Sequence, residues 1–209
     1  MVVGPAVTVR FAILGDSLAY GQGASRPADT VGARLSRDLT GRGIPNEPRI
    51  FAVPGAGSAE LSAQVDRALA WSPRLALVII GANDLTRFVA PERAAAHLAD
   101  AVRRLRQTSA EVVVAPAPDL SVVPWVPVQM RAVVRAGSEL LHDAQSRLAV
   151  AAGARVADIG MTSAAGFTLD PGLFSADRFH PSSEGYAVIA SALAPAVRAA
   201  AAAAHQTTH

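Results

Sequence analysis

The chain has 209 residues, of which 51% are hydrophobic and 17% are charged, so it is long enough and apolar enough to bury one large core. This composition excludes general disorder, and the length predicts a single domain over residues 1–209, with a core at about 8–204 and a flexible tail at 205–209. Cysteine is absent, which excludes disulfides, thiolate metal sites and cysteine nucleophiles.

The charge balance and the ends of the chain limit its partners. All 19 basic residues are arginines and they exceed the 17 acidic residues by only two, so we expect no nucleic acid partner. Residues 1–10 lack the features of a signal peptide, so we expect a cytoplasmic protein, or a secreted one if an export signal has been removed. The apolar tract at 186–204 is interrupted by Pro195 and Arg198, which predicts a docked helix and no stable membrane span. The sequence leaves the oligomeric state open.

Hydrophobic periodicity predicts five strands that alternate with five helices. Short apolar runs predict strands at residues 7–14, 49–53, 75–80, 111–115 and 154–159. Helical spacing predicts helices at residues 31–39, 59–70, 91–107, 128–152 and 182–203. Right-handed crossovers between such units predict an α/β fold, a three-layer α/β/α sandwich around a five-stranded parallel sheet, in which ligands bind beyond the carboxyl ends of the strands.

The turn after the first predicted strand contains a candidate nucleophile, Ser17, in the sequence Gly15-Asp16-Ser17. A helix or turn that begins at Ser17 exposes both its hydroxyl and its amide at the edge of the sheet, so one residue can supply an attacking oxygen and an oxyanion donor. Asp and Ser are also favoured helix caps, and a simple cap is the competing interpretation.

Two later turns offer further oxyanion donors. Residues 54–57 (PGAG) contain two glycines. Because glycine has no side chain, a substrate can approach a backbone amide here, close to a helix N-terminus. In residues 81–84 (GAND), the side-chain amide of Asn83 can be aimed at a developing negative charge. Taken alone, each turn also fits a structural interpretation: a tight connection for the first and an Asx turn for the second.

His180 is the histidine best placed for chemistry. It precedes Pro181, which favours an extended backbone, and follows Asp177 by three residues. That interval lets the carboxylate hold the imidazole in the tautomer that accepts a proton from a serine. The other four histidines are expected to be structural or solvated. Neither metal-ligand spacing nor a nucleotide-binding motif is present in the sequence, so we expect no metal and no cofactor.

Taken together and in order, four segments resemble the sequence blocks of the SGNH hydrolase superfamily, also called GDSL-type lipases and esterases. They are GDS at 15–17, Gly55, GxND at 81–84 and DxxH at 177–180. The resemblance extends over about residues 9–186. Each block is weak alone, but four in this order, each after a predicted strand or in the last loop, make a specific joint signal. The resemblance implies the flavodoxin-like fold of that superfamily.

The resemblance also implies a role for each residue. Ser17 is expected to be the nucleophile, His180 the general base and acid, and Asp177 the carboxylate that orients His180. The expected oxyanion hole consists of the Ser17 amide, the Gly55 amide and the Asn83 side chain, with the Gly57 amide as an alternative to that of Gly55.

These roles predict a serine esterase that hydrolyses short- to medium-chain carboxylic esters through an acyl-serine intermediate, with a small-molecule ester as its partner. Two alternatives stay open: an acyltransferase or carbohydrate O-deacetylase that uses the same three residues, and a catalytically silent binding module on the same fold. Expected substrate contacts are Asp16, Phe179 and Trp125. The Trp125 ring either contacts an acyl chain or packs its proline-rich loop onto the sheet.

Overall fold

The computed structural model describes residues 8–206, with side chains described for all of these except residues 160–162. Residue 7 of the first predicted strand and residues 207–209 of the predicted tail lie outside the described residues. Five parallel strands form one sheet in the order β2-β1-β3-β4-β5. The strands are β1 Val9–Gly15, β2 Asn46–Ile50, β3 Leu75–Ile79, β4 Glu111–Ala115 and β5 Arg155–Val156.

Helices cover both faces of this sheet. They are α1 Ser17–Tyr20, α2 Val31–Gly41, α3 Leu61–Ala70, α4 Ala82–Thr86, α5 Pro91–Gln107, α6 Arg131–Ala151, α7 Gly160–Leu169 and α8 Ser183–Gln206. Successive residues of a strand point to opposite faces, and the strand residues accordingly divide between two cores. Phe11 and Ile13 pack with α2 and α8, whereas Ala12 and Leu14 pack with α3 and α5. The predicted three-layer α/β/α sandwich is therefore confirmed.

The two edge strands differ from their predicted positions. β2 was expected at 49–53 but spans Asn46–Ile50, and its residues are mostly exposed. They include Pro48, which an edge strand tolerates because only one side of such a strand is hydrogen-bonded. The apolar run that predicted the later position still runs alongside β1, because the amides of Phe51 and Ala52 donate to the Ile13 carbonyl. β5 was expected at 154–159 but has only two paired residues, Arg155 and Val156.

Two helices lie where loops were expected. α4, in the turn after β3, has five residues, which is too short to produce a periodic pattern. α7, in the predicted loop at 160–181, has no clear apolar stripe. At the C-terminus the alanine-rich α8 continues to Gln206, so the predicted tail is helical at 205 and 206, as alanine's high helix propensity favours.

Among the described residues, α8 is the one helix that is long and apolar enough to cross a membrane by length and composition. In the fold it docks on the sheet, where Ile189, Leu193 and Val197 join the core shared with α2. This is the packing that the interrupted apolar tract predicted.

Candidate active site

Ser17 is the first residue of α1, directly beyond the carboxyl end of β1. Asp16 caps this short helix, and its Oδ1 accepts a hydrogen bond from the Leu18 amide at 3.0 Å. The sharp turn requires glycine at position 15, because its φ is +133° and a Cβ there would lie 1.8 Å from the Ile79 carbonyl oxygen. The local sequence thus folds so that the serine hydroxyl stands at the edge of the sheet.

A buried glutamine that the sequence analysis missed holds this turn in place. Gln64 of α3 is 1% exposed. Its Oε1 accepts from the Gly15 amide and its Nε2 donates to the Gly15 carbonyl, both at 2.8 Å. Its position could have revealed it, since it lies three residues after Leu61 and four before Ala68, on the buried face of α3.

Asp177 and His180 lie together in a closed loop between α7 and α8. The Ser175 amide donates to the His180 carbonyl and the Ser182 amide donates to the Leu173 carbonyl, each at 2.8 Å. These bonds join the two strands of the loop, so the segment that carries Asp177 and His180 is held by bonds within the loop itself. We refer to residues 173–182 as the histidine loop.

The Asp177 carboxylate is the centre of the histidine loop. Its Oδ1 accepts from the backbone amides of Phe179 and His180, both at 2.9 Å, and from the Ser175 hydroxyl at 2.8 Å. Its Oδ2 lies 2.6 Å from Nδ1 of His180. Although partial burial acts to raise it, these hydrogen bonds hold the pKa of Asp177 well below its usual range.

The His180 ring connects Asp177 to Ser17. Because the ionised Asp177 can only accept, Nδ1 carries the proton of a neutral imidazole and Nε2 is the acceptor. Nε2 lies 3.0 Å from Oγ of Ser17, so the serine hydroxyl donates to it. The structure thus brings together Ser17, His180 and Asp177 in one hydrogen-bonded chain, although 163 residues separate the serine from the histidine.

Two features bring the histidine loop and the start of α8 close to the segment that follows α1. The Tyr186 hydroxyl, at the start of α8, donates to the Gln22 carbonyl at 2.8 Å. Gly23 has a φ of +95°, and a Cβ there would lie 2.5 Å from the Pro181 carbonyl and 3.0 Å from Cβ of His180. The close approach of the two segments therefore depends on glycine at this position.

The predicted oxyanion donors follow β2 and β3, the strands on either side of β1. Asn83, in the first turn of α4, donates from Nδ2 to the Ala56 carbonyl at 2.9 Å, which ties its side chain to the glycine turn. The Gly57 amide donates to Oε2 of Glu60 at 2.8 Å. Gly55 is exposed, and its carbonyl accepts from Arg87.

Asp16 and Asp84 are two buried carboxyl groups behind the turns. Each is 2% exposed. Asp84 accepts from both the amide and the hydroxyl of Ser58, at 3.0 and 2.8 Å. Burial, together with the charge of Asp84, raises the pKa of Asp16 to about 7, against the opposing effect of the Leu18 amide.

A cavity of about 80 Å³ lies beside Ser17 and His180. Two of the expected substrate contacts, Asp16 and Phe179, line it. Its other walls are mostly apolar. They come from α1, from the segment after β4, from α7 and the residue before it, from the histidine loop and from α8, and they include Leu18, Leu120, Val123, Ile159, Phe167 and Ile189. The arrangement places a small apolar space next to the serine hydroxyl.

Trp125, the third expected substrate contact, lies behind Phe179 and not in the cavity wall. The two rings stack with centroids 5.6 Å apart, and the Phe179 ring meets His180 edge-on at 4.9 Å. Trp125 remains 56% exposed, so it does not pack its loop onto the sheet. Its contact with a substrate stays a prediction.

No group of three or more His, Asp or Glu side chains in the described part of the chain is arranged to hold a metal ion. The groups that meet at the site are a hydroxyl, an imidazole, a carboxylate and neighbouring amides. That combination is suited to nucleophilic attack by an oxygen with proton transfer through the imidazole.

Residues 13–188 match the sequence pattern of the GDSL-like lipase/acylhydrolase family. The chain belongs to this family. It is also 38% identical over 196 residues to a GDSL-like esterase of Mycobacterium tuberculosis, a match that covers 91% of the chain and 62% of the relative. This GDSL-like chain thus spans about three fifths of the length of that curated relative.

Solved structures similar to this GDSL-like chain have the same fold. A structure named TesA superposes with a TM-score of 0.76 at 20% identity and covers 91% of this chain and 99% of its own. A catalytic mutant of an acetylxylan esterase from Geobacillus stearothermophilus gives 0.74 at 16% identity, with coverages of 92% and 96%. The psychrotrophic esterase EstA from Pseudoalteromonas gives 0.72 at 17% identity, with coverages of 91% and 97%. At these identities the likeness concerns the fold.

Proposed function

We propose that this GDSL-like chain is a serine esterase that hydrolyses short- to medium-chain carboxylic esters through an acyl-serine intermediate. The observation that carries the proposal is the pair of contacts made by the His180 ring, 3.0 Å from Oγ of Ser17 on one side and 2.6 Å from the Asp177 carboxylate on the other. The first distance lies within the range in which a base removes a proton from a nucleophile, and the second lets the carboxylate orient that base.

The reaction begins when Oγ of Ser17 attacks the carbonyl carbon of the ester and Nε2 of His180 takes the hydroxyl proton. The resulting imidazolium is stabilised by the ionised Asp177. Collapse of the tetrahedral intermediate breaks the bond to the alcohol, which leaves with the proton from His180. Water then attacks the acyl-serine with His180 again as base, the acid is released, and Ser17 regains its proton.

Three donors are proposed for the negative oxygen of the tetrahedral intermediate: the amides of Ser17 and Gly55 and the side chain of Asn83. The bond from the Gly57 amide to Glu60 favours Gly55 over Gly57, because an amide that is already engaged must give up one partner to take another. Nδ2 of Asn83 has two hydrogens, and its bond to the Ala56 carbonyl uses one of them. The other is available to the oxyanion.

The size of the cavity supports a short acyl group. The volume of about 80 Å³ is well below the roughly 300–1,000 Å³ of pockets that hold drug-sized ligands. Its apolar walls favour hydrocarbon, since burying apolar surface is favourable by roughly 25 cal/mol per Å². Short acyl chains fit this description best.

The experiment is hydrolysis of p-nitrophenyl acetate, butyrate, octanoate and palmitate by the wild type and by Ser17→Ala. We expect wild-type turnover to be highest for the short esters and lowest for palmitate, and Ser17→Ala to lose it. Ser36→Ala is the matched control, because the Ser36 hydroxyl donates to Asn46 at the opposite end of the sheet.

The outcomes separate the alternatives. Equal activity of Ser17→Ala and the wild type would overturn the assignment of the nucleophile. Turnover that rises steadily from acetate to palmitate would overturn the proposed chain length. If the folded wild type hydrolyses none of these esters, the general esterase proposal fails, and a selective transferase or deacetylase, or a silent binding module, takes its place.

A carbohydrate O-deacetylase, or an acyltransferase, that uses the same three residues is the second candidate. It is favoured by the half-exposed Trp125 ring, 56% exposed and stacked on Phe179 next to His180, since a flat aromatic face at the edge of a site is suited to packing against a sugar. Release of acetate from an acetylated xylo-oligosaccharide faster than from p-nitrophenyl acetate, with a loss in Trp125→Ala, would support the deacetylase. Transfer of the acyl group to an added sugar would support the transferase.

A further inference from the structure

Residues 53–56 form a β-turn that contains the proposed donor Gly55. The Ala56 amide donates to the Val53 carbonyl at 3.0 Å, which closes the turn. Pro54 is its second residue, and Gly55 is its third, with a φ of +83°. A positive φ at the third position, after a proline at the second, is that of a type II turn.

Both ends of this turn are fixed to the rest of the site. At its start, the Val53 amide donates to the carbonyl of Gly15 at 3.0 Å, two residues before Ser17. At its end, the Ala56 carbonyl accepts from Nδ2 of Asn83 at 2.9 Å. The turn is therefore joined to the serine turn on one side and to α4 on the other.

The peptide that joins Pro54 to Gly55 lies in the middle of the turn and carries the Gly55 amide. Type I and type II turns differ in the direction of this peptide, since φ of the third residue is about −90° in type I and about +80° in type II. Conversion between them turns the amide to the opposite side. Arg87 holds the next peptide, through the Gly55 carbonyl at 2.7 Å, and Pro54 and Gly55 are both exposed. The direction of the Gly55 amide therefore depends on the local backbone preference.

The need for glycine at position 55 comes from its φ and not from lack of space. A Cβ at this position would have no atom of the described part of the chain within 4 Å. Residues with a side chain rarely adopt a positive φ, so most of them favour the type I turn at this position. Glycine adopts the type II turn without that strain.

We propose that the type II turn at Pro54 and Gly55 controls the Gly55 donor: the amide reaches the negative oxygen of the tetrahedral intermediate in this turn and points away from it in a type I turn. The proposal rests on the esterase function and the oxyanion hole proposed above, and it names the backbone conformation on which that donor depends. Pro54 is then a positioning residue, because its fixed φ of about −65° excludes the mirror-image turns, which need a positive φ at the second position.

The test compares kcat and KM for p-nitrophenyl butyrate in the wild type, Gly55→Ala and Gly55→Asn. Asparagine is larger than alanine but tolerates a positive φ better. We expect Gly55→Ala to lower kcat about 10²-fold with little change in KM, the effect of losing one oxyanion donor. Gly55→Asn should lower kcat by no more than about tenfold, because it retains the type II turn more readily. A glycine that serves only to leave room for the substrate would give the reverse order.

Gly43→Ala and Gly43→Asn are the matched controls. Gly43 has a φ of +77°, and a Cβ there would also have no described atom within 4 Å. It lies between α2 and the start of β2, at the end of the sheet opposite the site. We expect the same order of stabilities as at position 55, with Ala below Asn, when thermal unfolding is measured. The kcat of both Gly43 variants should equal that of the wild type.

The failure of this proposal is distinct from the failure of the esterase proposal. If the wild type hydrolyses p-nitrophenyl butyrate but Gly55→Ala retains its kcat, or if Gly55→Asn loses as much kcat as Gly55→Ala or more, the turn type does not control the donor and only this proposal is overturned. An equal loss of kcat in Gly43→Ala overturns it as well, because lowered stability then explains the loss. If the wild type hydrolyses none of the p-nitrophenyl esters, both proposals are overturned.

Discussion

Gln64 and Gly15 exchange two hydrogen bonds of 2.8 Å, one in each direction, inside the protein. The side chain of a helix thereby satisfies both backbone groups of the residue two positions before the candidate nucleophile. The position of Ser17 is thus set by β1, by the cap at Asp16 and by α3 together.

We expect Gln64→Leu to lower kcat for p-nitrophenyl butyrate by about 10–100-fold with little change in KM, because a small displacement of Ser17 spoils its alignment with His180. The variant is also expected to be less stable, since the Gly15 amide and carbonyl lose their side-chain partners, at a cost of about 1–3 kcal/mol for each group that stays unpaired. Steady-state kinetics and denaturant unfolding measure the two effects.

Gln145→Leu is the control for this prediction. Gln145 is equally buried and also bonds to two backbone groups, the Ala117 amide at 2.8 Å and the Ile80 carbonyl at 3.3 Å, but not to the serine turn. It should reproduce the loss of stability with a smaller loss of kcat. Equal losses of kcat in the two variants would contradict a positioning role for Gln64, and recovery of kcat in Gln64→Glu would support it.

Asn83→Ala should lower kcat for short esters by about 10²–10³-fold, the usual effect of removing one oxyanion donor. We expect a milder loss than in Ser17→Ala, because the other two donors remain. KM should change little, since the donor acts mainly on the transition state. If Asn83→Ala lowers the melting temperature but leaves kcat intact, the side chain serves only to hold Ala56.

Asp177→Asn should lower kcat by about 10³–10⁴-fold, because a neutral amide no longer fixes the tautomer in which Nε2 of His180 accepts the serine proton. The effect on stability depends on pH. The pKa of Asp177 in the folded protein lies below that of an unfolded aspartate, so the carboxylate stabilises the fold above about pH 4, and this stabilisation is lost as the pH falls further. The gap in unfolding free energy between the wild type and Asp177→Asn should therefore shrink on acidification. If this gap stays constant at all pH values, the pKa of Asp177 is not lowered in the folded protein.

Asp16→Asn should remove a pH dependence of stability that runs opposite to that of Asp177. The pKa of Asp16 is raised to about 7, so the folded protein retains a proton that the unfolded chain releases near pH 4. Stability from this group is complete below about pH 4 and is lost as the pH rises towards 7, by up to about 1.4 kcal/mol per pH unit. Denaturant unfolding between about pH 5 and pH 8 should show the wild type losing stability relative to Asp16→Asn. Parallel curves for the two proteins would show that Asp16 titrates normally.

The sequence predicted the parts of the fold that are buried and regular. β3 and β4 are apolar at nearly every position, so their places were clear, whereas β2 lies at an exposed edge and contains Pro48, where hydrophobic periodicity carries little information. Because parallel strands present their carboxyl ends at one edge, the turns after β1, β2 and β3 were expected to form the site, and the resemblance to SGNH hydrolases predicted Ser17, Gly55 and Asn83 within them.

Two features of the site were not predicted from the sequence. The burial of Gln64 follows from its place on the buried face of α3, but its two bonds to Gly15 do not. The stacking of Trp125 on Phe179 is a contact between two loops, and such a pair leaves no local pattern. Both features depend on contacts between segments that are distant in the chain.

The histidine loop carries Asp177 and His180 as a single unit whose internal bonds are independent of α1. Ser17 belongs to the other side of the site, and Gly23 and Tyr186 set how closely the loop approaches it. The contact between the candidate nucleophile and its base therefore depends on how closely two separately braced segments approach each other. A remote substitution that shifts one segment relative to the other is expected to alter activity without unfolding the protein, and the 3.0 Å contact between Ser17 and His180 is the distance that it would change.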